Sequence, residues 1–229
     1  MTRIALIHAL AHSPPPINAA LAALWPEAER MNLLDDSLAA DLARAGRLDE
    51  RMTARFVALA DYAVAHGADA ILFTCSAFGP CIDEVKRRHD GRPVLEPNEA
   101  MIDEAVALAA NERGARPGAV GRIGLVASFA PTLASMPAEF PRDVAVQGQL
   151  AEGALSALDR GDGAAHDAAV VRAARALAGQ GCTVIALAQF SMARARAAVE
   201  AAIGLPVLTT PESAVRRLQA QLAGRAAPR

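Results

Sequence analysis

One cysteine stands where a thiol could do chemistry. Cys75 follows the apolar run Ala70–Phe73, which is typical of a strand, and precedes Pro80, which suits the first turn of a helix. Backbone N–H groups at a helix N-terminus favour negative charge, so we predict that the pKa of Cys75 is lowered from about 8.5 towards neutrality. Such a thiolate could act as a nucleophile or an acid/base group beside an anion-binding nest. The alternative is a small buried residue that closes a strand.

The other cysteines indicate packing roles and a reducing compartment. Cys81 lies inside the helix predicted after Cys75, and Cys182 lies at the start of a later strand, so we predict that both are core residues. Three cysteines without a CxxC pair cannot all form disulfides, which favours the cytoplasm. The first apolar run, Ile4–Ile7, is too short for a signal peptide or a membrane span, so no membrane contact is expected.

The histidines offer a ligand contact but no metal site. His8 follows the first apolar run and could contact a ligand, with packing in a loop as the alternative. His8 and His12 are four residues apart, but the proline run Pro14–Pro16 argues against the helix that would align them for zinc. The remaining three histidines are expected at helix ends or surface turns, where they would be solvated: His66, His89 and His166.

Short apolar runs alternate with longer amphipathic stretches along the chain. Continuous apolar runs of this length predict parallel strands that are covered on both faces, which defines an α/β fold. The predicted strands are Ile4–Ile7, Ala70–Phe73, Pro93–Leu95, Ile123–Val126, Val184–Leu187 and Pro206–Leu208. Asn32–Leu34 is a further candidate strand, and the Asp35 and Asp36 that follow it could cap a helix that starts at Ser37.

The second half of the sequence repeats the first. Three segments recur in the same order, at offsets of 119, 114 and 113 residues: Arg3–Ile7 in Arg122–Val126, Gly67–Leu72 in Gly181–Ala186, and Pro93–Leu95 in Pro206–Leu208. Each half also has a long alanine-rich helix, predicted over Asp49–His66 and Gly163–Gln180, that ends before a glycine. Weak self-similarity of any α/β protein is the alternative, but three ordered matches favour a duplication joined near Gly114–Gly121.

A duplication predicts two flavodoxin-like parallel-sheet domains related by a pseudo-twofold axis. We place the first domain at 1–97 together with 208–229, and the second at 98–207. The carboxyl ends of the two sheets would then converge on one cleft, where open parallel sheets bind ligands. The repeat pairs Cys75 with Gln189, which should face it across that cleft. A glutamine amide does not titrate, but it can donate to a carboxylate or an oxyanion.

These motifs resemble the aspartate/glutamate/hydantoin racemase superfamily, over essentially the whole chain. The resemblance rests on the paired halves and on three segments: Thr74–Ser76, Gly121–Phe129 and Leu187–Ser191. The superfamily includes amino-acid and hydantoin racemases, maleate cis-trans isomerase and arylmalonate decarboxylase. Its racemases use two opposed cysteines, without cofactor or metal, to move a proton at a carbon next to a carboxylate.

By resemblance, Cys75 matches the first cysteine, whereas Gln189 occupies the place of the second. Racemisation by two acids needs a thiol on each face of the carbon, so this departure favours one-sided protonation or addition to a double bond. The resemblance also implies a set of residues that bind the substrate carboxylate or line the cleft: Ser76, Ala77, Ser128, Phe129, Phe190 and Thr209.

Composition excludes several other functions. The net charge of −2 provides no basic field for nucleic acid, and 3% aromatic residues provide few stacking platforms. The only lysine, Lys86, lies in a charged stretch that we expect to be the solvated face of a helix, so pyridoxal phosphate is not expected. The sequence lacks a phosphate-binding loop, and its glycines 118, 121 and 124 precede a strand instead of following one, so no nucleotide cofactor is expected.

The hypothesis is therefore a cytoplasmic, cofactor-independent racemase or isomerase that acts on a small carboxylate through Cys75. A homodimer is the expected assembly. Two alternatives stay open: a decarboxylase or lyase in which one cysteine donates a proton, and a small-molecule binding protein that has lost catalysis.

Overall fold

Apolar runs of the sequence form the centre of two parallel sheets. The structure is a computed structural model, and its described residues are 1–115 and 121–226. Within those residues the chain divides into two compact units, Met1–Ala100 with the segment from Ala214 onward, and Met101–Ser213. The domain bounds from the sequence, and the arrangement of the domains about a pseudo-twofold axis, stay predictions.

The first unit contains a sheet of four parallel strands among the described residues. The strand order is β2-β1-β3-β4, with β1 at Arg3–His8, β2 at Glu29–Leu34, β3 at Ala70–Phe73 and β4 at Val94–Leu95. The helices that connect them are α1 at Pro14–Leu24, α2 at Ser37–Ala45, α3 at Glu50–Ala65 and α4 at Gly79–Arg88. The chain enters the second unit through α5 at Glu99–Ala115.

The second unit repeats this topology. Its described strands are also parallel and follow the order β6-β5-β7-β8, with β5 at Arg122–Ala127, β6 at Ala145–Leu150, β7 at Val184–Leu187 and β8 at Val207–Thr209. The helices are α6 at Ala130–Ser135, α7 at Ala154–Asp159, α8 at Gly163–Gly179 and α9 at Arg196–Ile203. The last helix, α10 at Thr210–Ala226, begins after β8 and belongs to the first unit from Ala214 onward. The α/β class and the duplicated strand order are thus confirmed.

The long helices α3 and α8 begin and end in the same way. Asp49 accepts a hydrogen bond from a backbone N–H in the first turn of α3, and Asp162 does the same for α8, which satisfies amides that have no partner inside the helix. After each helix comes a glycine in the left-handed region, Gly67 with φ of 81° and Gly181 with φ of 84°. The predicted helix ends are confirmed.

Three expectations about exposed or connecting residues need correction or lie outside the described residues. His166 is fully buried in α8, where Nδ1 lies 2.7 Å from the Asp167 carboxylate, so it is not solvated. Lys86 is two-thirds buried and forms 2.7 Å ion pairs with Glu96 and Glu99, so it does not lie on a solvated face. The predicted junction near 114–121 includes residues 116–120, which lie outside the described residues.

The strand β6 was not predicted from the sequence, whereas the predicted cap of a helix that starts at Ser37 is confirmed for Asp35 but not for Asp36. β6 pairs only with β5, so it lies at the edge of its sheet, and its residues around Gln147 and Gly148 are exposed. An edge strand does not need the apolar run that marks a central one. In α2 the capping acceptor is Asp35, which binds the N–H and the hydroxyl of Ser37, while Asp36 makes no capping hydrogen bond.

Candidate functional site

Cys75 lies two residues after β3, a central strand of the first unit, and begins a turn. Its backbone is extended, with φ of −133° and ψ of 118°, and it caps a short 3-10 turn, Ser76–Phe78, that leads into α4. Pro80 lies in the first turn of α4, as the sequence predicts. The side chain is partly exposed, whereas Cys81 and Cys182 are buried core cysteines as expected. Cys75 is therefore the most accessible thiol of the chain.

The ionisation of Cys75 differs from the prediction. Burial raises the pKa of the Cys75 thiol, and the backbone N–H of Ala77, which acts in the opposite direction, offsets this only in part. The predicted lowering of the pKa was wrong because the loss of solvation outweighs a single amide donor. At neutral pH the group is a protonated thiol, which can give a proton to a carbon or an oxygen.

The two residues after Cys75 are accessible for an anionic group. Ser76 and Ala77 are both exposed. Among the described residues the Ser76 hydroxyl has no hydrogen-bond partner, so it is free to donate to a ligand oxygen. The Ala77 N–H already faces the Cys75 sulfur. A hydroxyl and a thiol thus lie side by side at one strand end.

Gln189 occupies the equivalent turn of the second unit. Its backbone, with φ of −123° and ψ of 148°, is extended like that of Cys75, and it also caps a 3-10 turn. The side chain is bonded within its own unit: Oε1 accepts from the Ser128 N–H at 2.9 Å and lies 3.4 Å from the Ser128 hydroxyl. Nε2 donates to Thr132 Oγ1 at 3.2 Å. The amide therefore holds the end of β5 and keeps one N–H to spare.

The other candidates in the second unit divide by exposure. Ser128 is partly exposed and Phe129 is half exposed at the end of β5, so both can meet a ligand. Phe190 is 6% exposed and Thr209 is fully buried, which makes both poorer contacts. The Thr209 hydroxyl has no hydrogen-bond partner among the described residues. The roles of these four side chains in substrate binding stay predictions.

His8 belongs to β1 and not to the loop after it. It is the last residue of the strand and fully buried, with Nδ1 2.9 Å from Thr74 Oγ1 and Nε2 3.0 Å from Asn32 Oδ1. Burial lowers the pKa of His8, and the hydrogen bond that His8 donates to Asn32 opposes this only in part, so the ring is neutral at pH 7. Both ring nitrogens are occupied, so a direct contact with substrate has no support in this geometry.

Comparison with protein families agrees with this site. The family model for Asp/Glu/hydantoin racemase matches residues 15–218. The chain belongs to the Asp/Glu/hydantoin racemase family. The match includes both turns, so Cys75 and Gln189 are positions within a racemase-family domain. No curated protein gives a significant sequence match.

Solved structures of racemase-family enzymes share the fold. Allantoin racemase from Klebsiella pneumoniae superposes with a TM-score of 0.72 at 20% identity, covering 99% of this chain and 90% of that one. Glutamate racemase isoform RacE1 from Bacillus anthracis gives 0.68 at 12% identity, with 98% and 83% covered. An arylmalonate decarboxylase gives 0.65 at 20% identity, with 99% and 95% covered. At these identities the likeness establishes the fold alone.

The described residues provide neither a metal centre nor a membrane span. They contain no cluster of three or more histidine, cysteine or acidic side chains arranged to hold a metal ion. None of the helices described is both long and apolar enough to cross a bilayer.

Sequence reasoning missed three polar side chains that contact the predicted site residues. Thr74 and Asn32 bind His8, and Thr132 binds Gln189. Thr74 precedes the cysteine directly, so its position was a usable signal. Asn32 and Thr132 had none, because each lies on a different element from its partner and only folding brings the two together.

Proposed function

We propose that this racemase-family chain is a cofactor-independent enzyme in which Cys75 exchanges a proton with the carbon next to a carboxylate. The observation that carries the proposal is the partly exposed thiol at the end of β3, in the turn that begins the 3-10 helix before α4. Carboxyl ends of parallel strands are the usual ligand-binding edge of an open α/β sheet. A thiol at this edge, in a racemase-family domain, is the group best suited to acid/base work.

The residues beside the thiol support a carboxylate substrate. The Ser76 hydroxyl is exposed and unbonded, and the turn supplies backbone N–H groups that suit an anion. Similar structures include a glutamate racemase and an allantoin racemase, and these names point to an acidic substrate and an amide-rich one. We therefore expect a small carboxylate, with the Ser76 hydroxyl as a donor beside the thiol. Substrate contacts by Ala77, Ser128, Phe129 and Gln189 stay predictions from the sequence.

Gln189 supports proton transfer on one face only. A glutamine cannot exchange a proton with carbon, and this one has its carbonyl oxygen occupied by Ser128. Its free N–H can still stabilise negative charge on a substrate oxygen. One thiol can protonate a substrate carbon from one face. As a thiolate it can instead add to a substrate double bond, which becomes a single bond that rotates before the thiolate leaves and the double bond forms again; two-sided racemisation would need a second acid.

Decarboxylation is a second candidate, and the raised pKa of Cys75 favours it. Loss of CO2 leaves the electron pair of the broken C–C bond on the α-carbon, and the thiol then gives its proton to that carbon. The resulting thiolate is reprotonated from water. A thiol that is already protonated at neutral pH suits this order of events, and an arylmalonate decarboxylase shares the fold.

Two further properties are proposed with the activity. All three cysteines are free, which supports a reducing cytoplasmic location. A homodimer remains the expected assembly, since closed twofold dimers are the commonest oligomers of soluble proteins.

The test compares two cysteine variants. A thermal-shift screen of monocarboxylates, malonates, amino acids and hydantoins first identifies ligands, because binding to the native state raises its melting temperature. Turnover of each hit is then followed in deuterium oxide by proton NMR, with CO2 release measured in parallel. Cys75→Ala should lower kcat at least about a thousandfold while ligand binding persists, whereas Cys182→Ala should keep it within about threefold.

The outcomes separate the candidates. Deuterium at the α-carbon with loss of chirality and without CO2 supports racemisation, deuterium with retained chirality and without CO2 supports one-sided proton exchange, and deuterium with CO2 supports decarboxylation. Full activity of Cys75→Ala would remove the proposal. Ligand binding without turnover in the wild type would favour the non-catalytic binding protein.

A further inference from the structure

A chain of hydrogen-bonded side chains ends at the residue before Cys75. The Thr74 hydroxyl, on a side chain that is 6% exposed, lies 2.9 Å from His8 Nδ1. The other ring nitrogen of His8 lies 3.0 Å from Asn32 Oδ1, and Asn32 exchanges two 3.2 Å hydrogen bonds with Asn18. The chain thus runs from α1 through Asn32 of β2 and His8 of β1 to Thr74, the residue just after β3.

The partners define how the histidine bonds. Asn32 presents its carbonyl oxygen to His8, so Nε2 carries the proton and donates it. Nδ1 is then an acceptor, and the hydrogen bond to it comes from the Thr74 hydroxyl. The Thr74 backbone N–H is held as well, by the carbonyl of Ile7 at 3.1 Å. Both the backbone and the side chain of Thr74 are therefore fixed directly before the cysteine.

The second unit has no such chain at the equivalent positions. The equivalence is structural: Asp35 N–H bonds to the carbonyl of His8 as Ala151 N–H bonds to that of Ala127, and both pairs join the same two strands. Three positions of the second unit are equivalent to His8, Thr74 and Asn32, and none of them has a polar side chain. They are Ala127, Ala188 and Gly148, respectively.

A common requirement of the fold does not explain this difference. Burying a histidine and a hydroxyl costs solvation free energy even when both are hydrogen-bonded, and small apolar residues meet the packing need in the second unit. The polar chain occurs at the turn that contains the thiol, and its equivalent is absent where the turn contains a glutamine. The solvation cost of burying these polar side chains therefore accompanies the turn that contains the cysteine and is not required by the sheet.

We propose that His8 is a positioning residue for Cys75. His8 acts through the Thr74 hydroxyl and does not itself contact the substrate. By holding Thr74, His8 keeps the sulfur against the Ala77 N–H and at a fixed place relative to the substrate carbon. The inference rests on the proposed function, because it assigns His8 a part in the proton transfer by Cys75.

The experiment removes the chain from either end and reads the thiol directly. His8→Phe removes both ring hydrogen bonds, Thr74→Val removes the hydroxyl at nearly constant volume, and His8→Asn retains an acceptor near the place of Nδ1. The alkylation rate of Cys75 with iodoacetamide is measured against pH by peptide mass mapping, and kcat and KM are measured on the substrate found above. His166→Phe is the matched control, because His166 is equally buried but lies in the second unit.

His8→Phe and Thr74→Val should each raise the apparent pKa of Cys75 by roughly 0.5 to 1, the value of one weakened hydrogen bond to the sulfur. Each should lower kcat about 10- to 100-fold with KM within about threefold, since a small displacement of a reacting group affects the chemical step. The double variant should be no worse than the poorer single one, because both residues act in one chain. His8→Asn should recover part of the kcat, and His166→Phe should leave the apparent pKa unchanged.

The results distinguish this inference from the proposed function. If Cys75→Ala is inactive but His8→Phe and Thr74→Val keep the wild-type apparent pKa and kcat, the positioning role is wrong and the catalytic cysteine stands. If Cys75→Ala is fully active, the proposed function fails first. If His8→Phe does not fold, Thr74→Val and His8→Asn still decide, since unchanged kcat in Thr74→Val overturns the inference.

Discussion

The two halves of this chain have the same strand order but stabilise their equivalent turns in different ways. The turn at Cys75 has a free hydroxyl at Ser76 and is held from behind by His8 and Thr74. The turn at Gln189 is held from its own side chain, which binds Ser128 and Thr132. A duplicated frame can therefore assign the reactive group to one half and a neutral, structural group to the other.

This difference lies in side chains and not in the backbone. Cys75 and Gln189 have similar extended backbone angles, and each precedes a 3-10 turn and a helix. Replacing one thiol by an amide changes what the site can do, because a thiol can give its proton to a carbon whereas an amide does not titrate. The catalytic asymmetry that we propose thus requires no change of fold.

The largest expected difference in stability between the two halves concerns the residue just before the central strands β1 and β5. Gly121, just before β5, has no room for a side chain, since an added Cβ would lie 2.0 Å from the backbone carbonyl oxygen of Ala109 in α5. Gly121→Ala should lower the free energy of unfolding by about 3 kcal/mol or more, because backbone must shift. Urea denaturation measures it.

The control for that variant is the equivalent residue of the first half, Thr2. Thr2→Ala should change the free energy of unfolding by less than about 0.5 kcal/mol, as partly exposed positions usually do. If the two variants lost equal free energy of unfolding, the close approach of a helix to the start of the strand would not be specific to the second half.

A smaller effect is expected at the turn of the second half. Gln189→Ala leaves the Ser128 N–H and the Thr132 hydroxyl without their partner, so it should lower the free energy of unfolding by about 1 to 2 kcal/mol. Chemical denaturation, followed by the fluorescence of Trp25, measures this change in the free energy of unfolding. Gln149→Ala is the control and should be nearly neutral, because its amide bonds only to the neighbouring Leu150 carbonyl at 3.3 Å. A neutral Gln189→Ala would mean that this turn is held by its backbone alone.

The smallest expected effect is a pH dependence confined to the first half. Burial raises the pKa of Asp35, but hydrogen bonds from Ser37 and Arg55 outweigh it, so the net pKa is lowered. Its stabilisation is then complete above the unfolded pKa of about 3.9 and is lost as pH falls through the lower folded value. The equivalent residue of the second half is Ala151, which has no such group.

Asp35→Asn should therefore lower the free energy of unfolding at pH 7 by about 1 kcal/mol or less, given the screening of a partly exposed pair. The difference from wild type should shrink as the pH approaches 3, as urea denaturation at several pH values would record. Asp36→Asn should have no comparable effect, since that side chain makes no capping hydrogen bond. A pH-independent difference would show that Asp35 acts through hydrogen bonding and not through its charge.

The central strands could be predicted almost to the residue. β3 and β7 match the predicted ranges, because apolar runs between turn signals leave few other structures that bury them. The edge strand β6 could not be predicted, since its Gln147, Gly148 and Gln149 give no such run. The position of Cys75 in a turn followed from Pro80 and the preceding strand, but the direction of its pKa did not.

Local sequence determined the duplication, the parallel strands and the turn that presents Cys75, because apolar patterning, helix caps and turn residues act over short separations along the chain. Only the tertiary structure decided that burial outweighs the Ala77 amide at the sulfur, that His8 binds Thr74, and that Gln189 binds Ser128. Solvation and hydrogen bonding depend on residues that are distant in sequence and adjacent in space, so they are defined only once the sheets have formed.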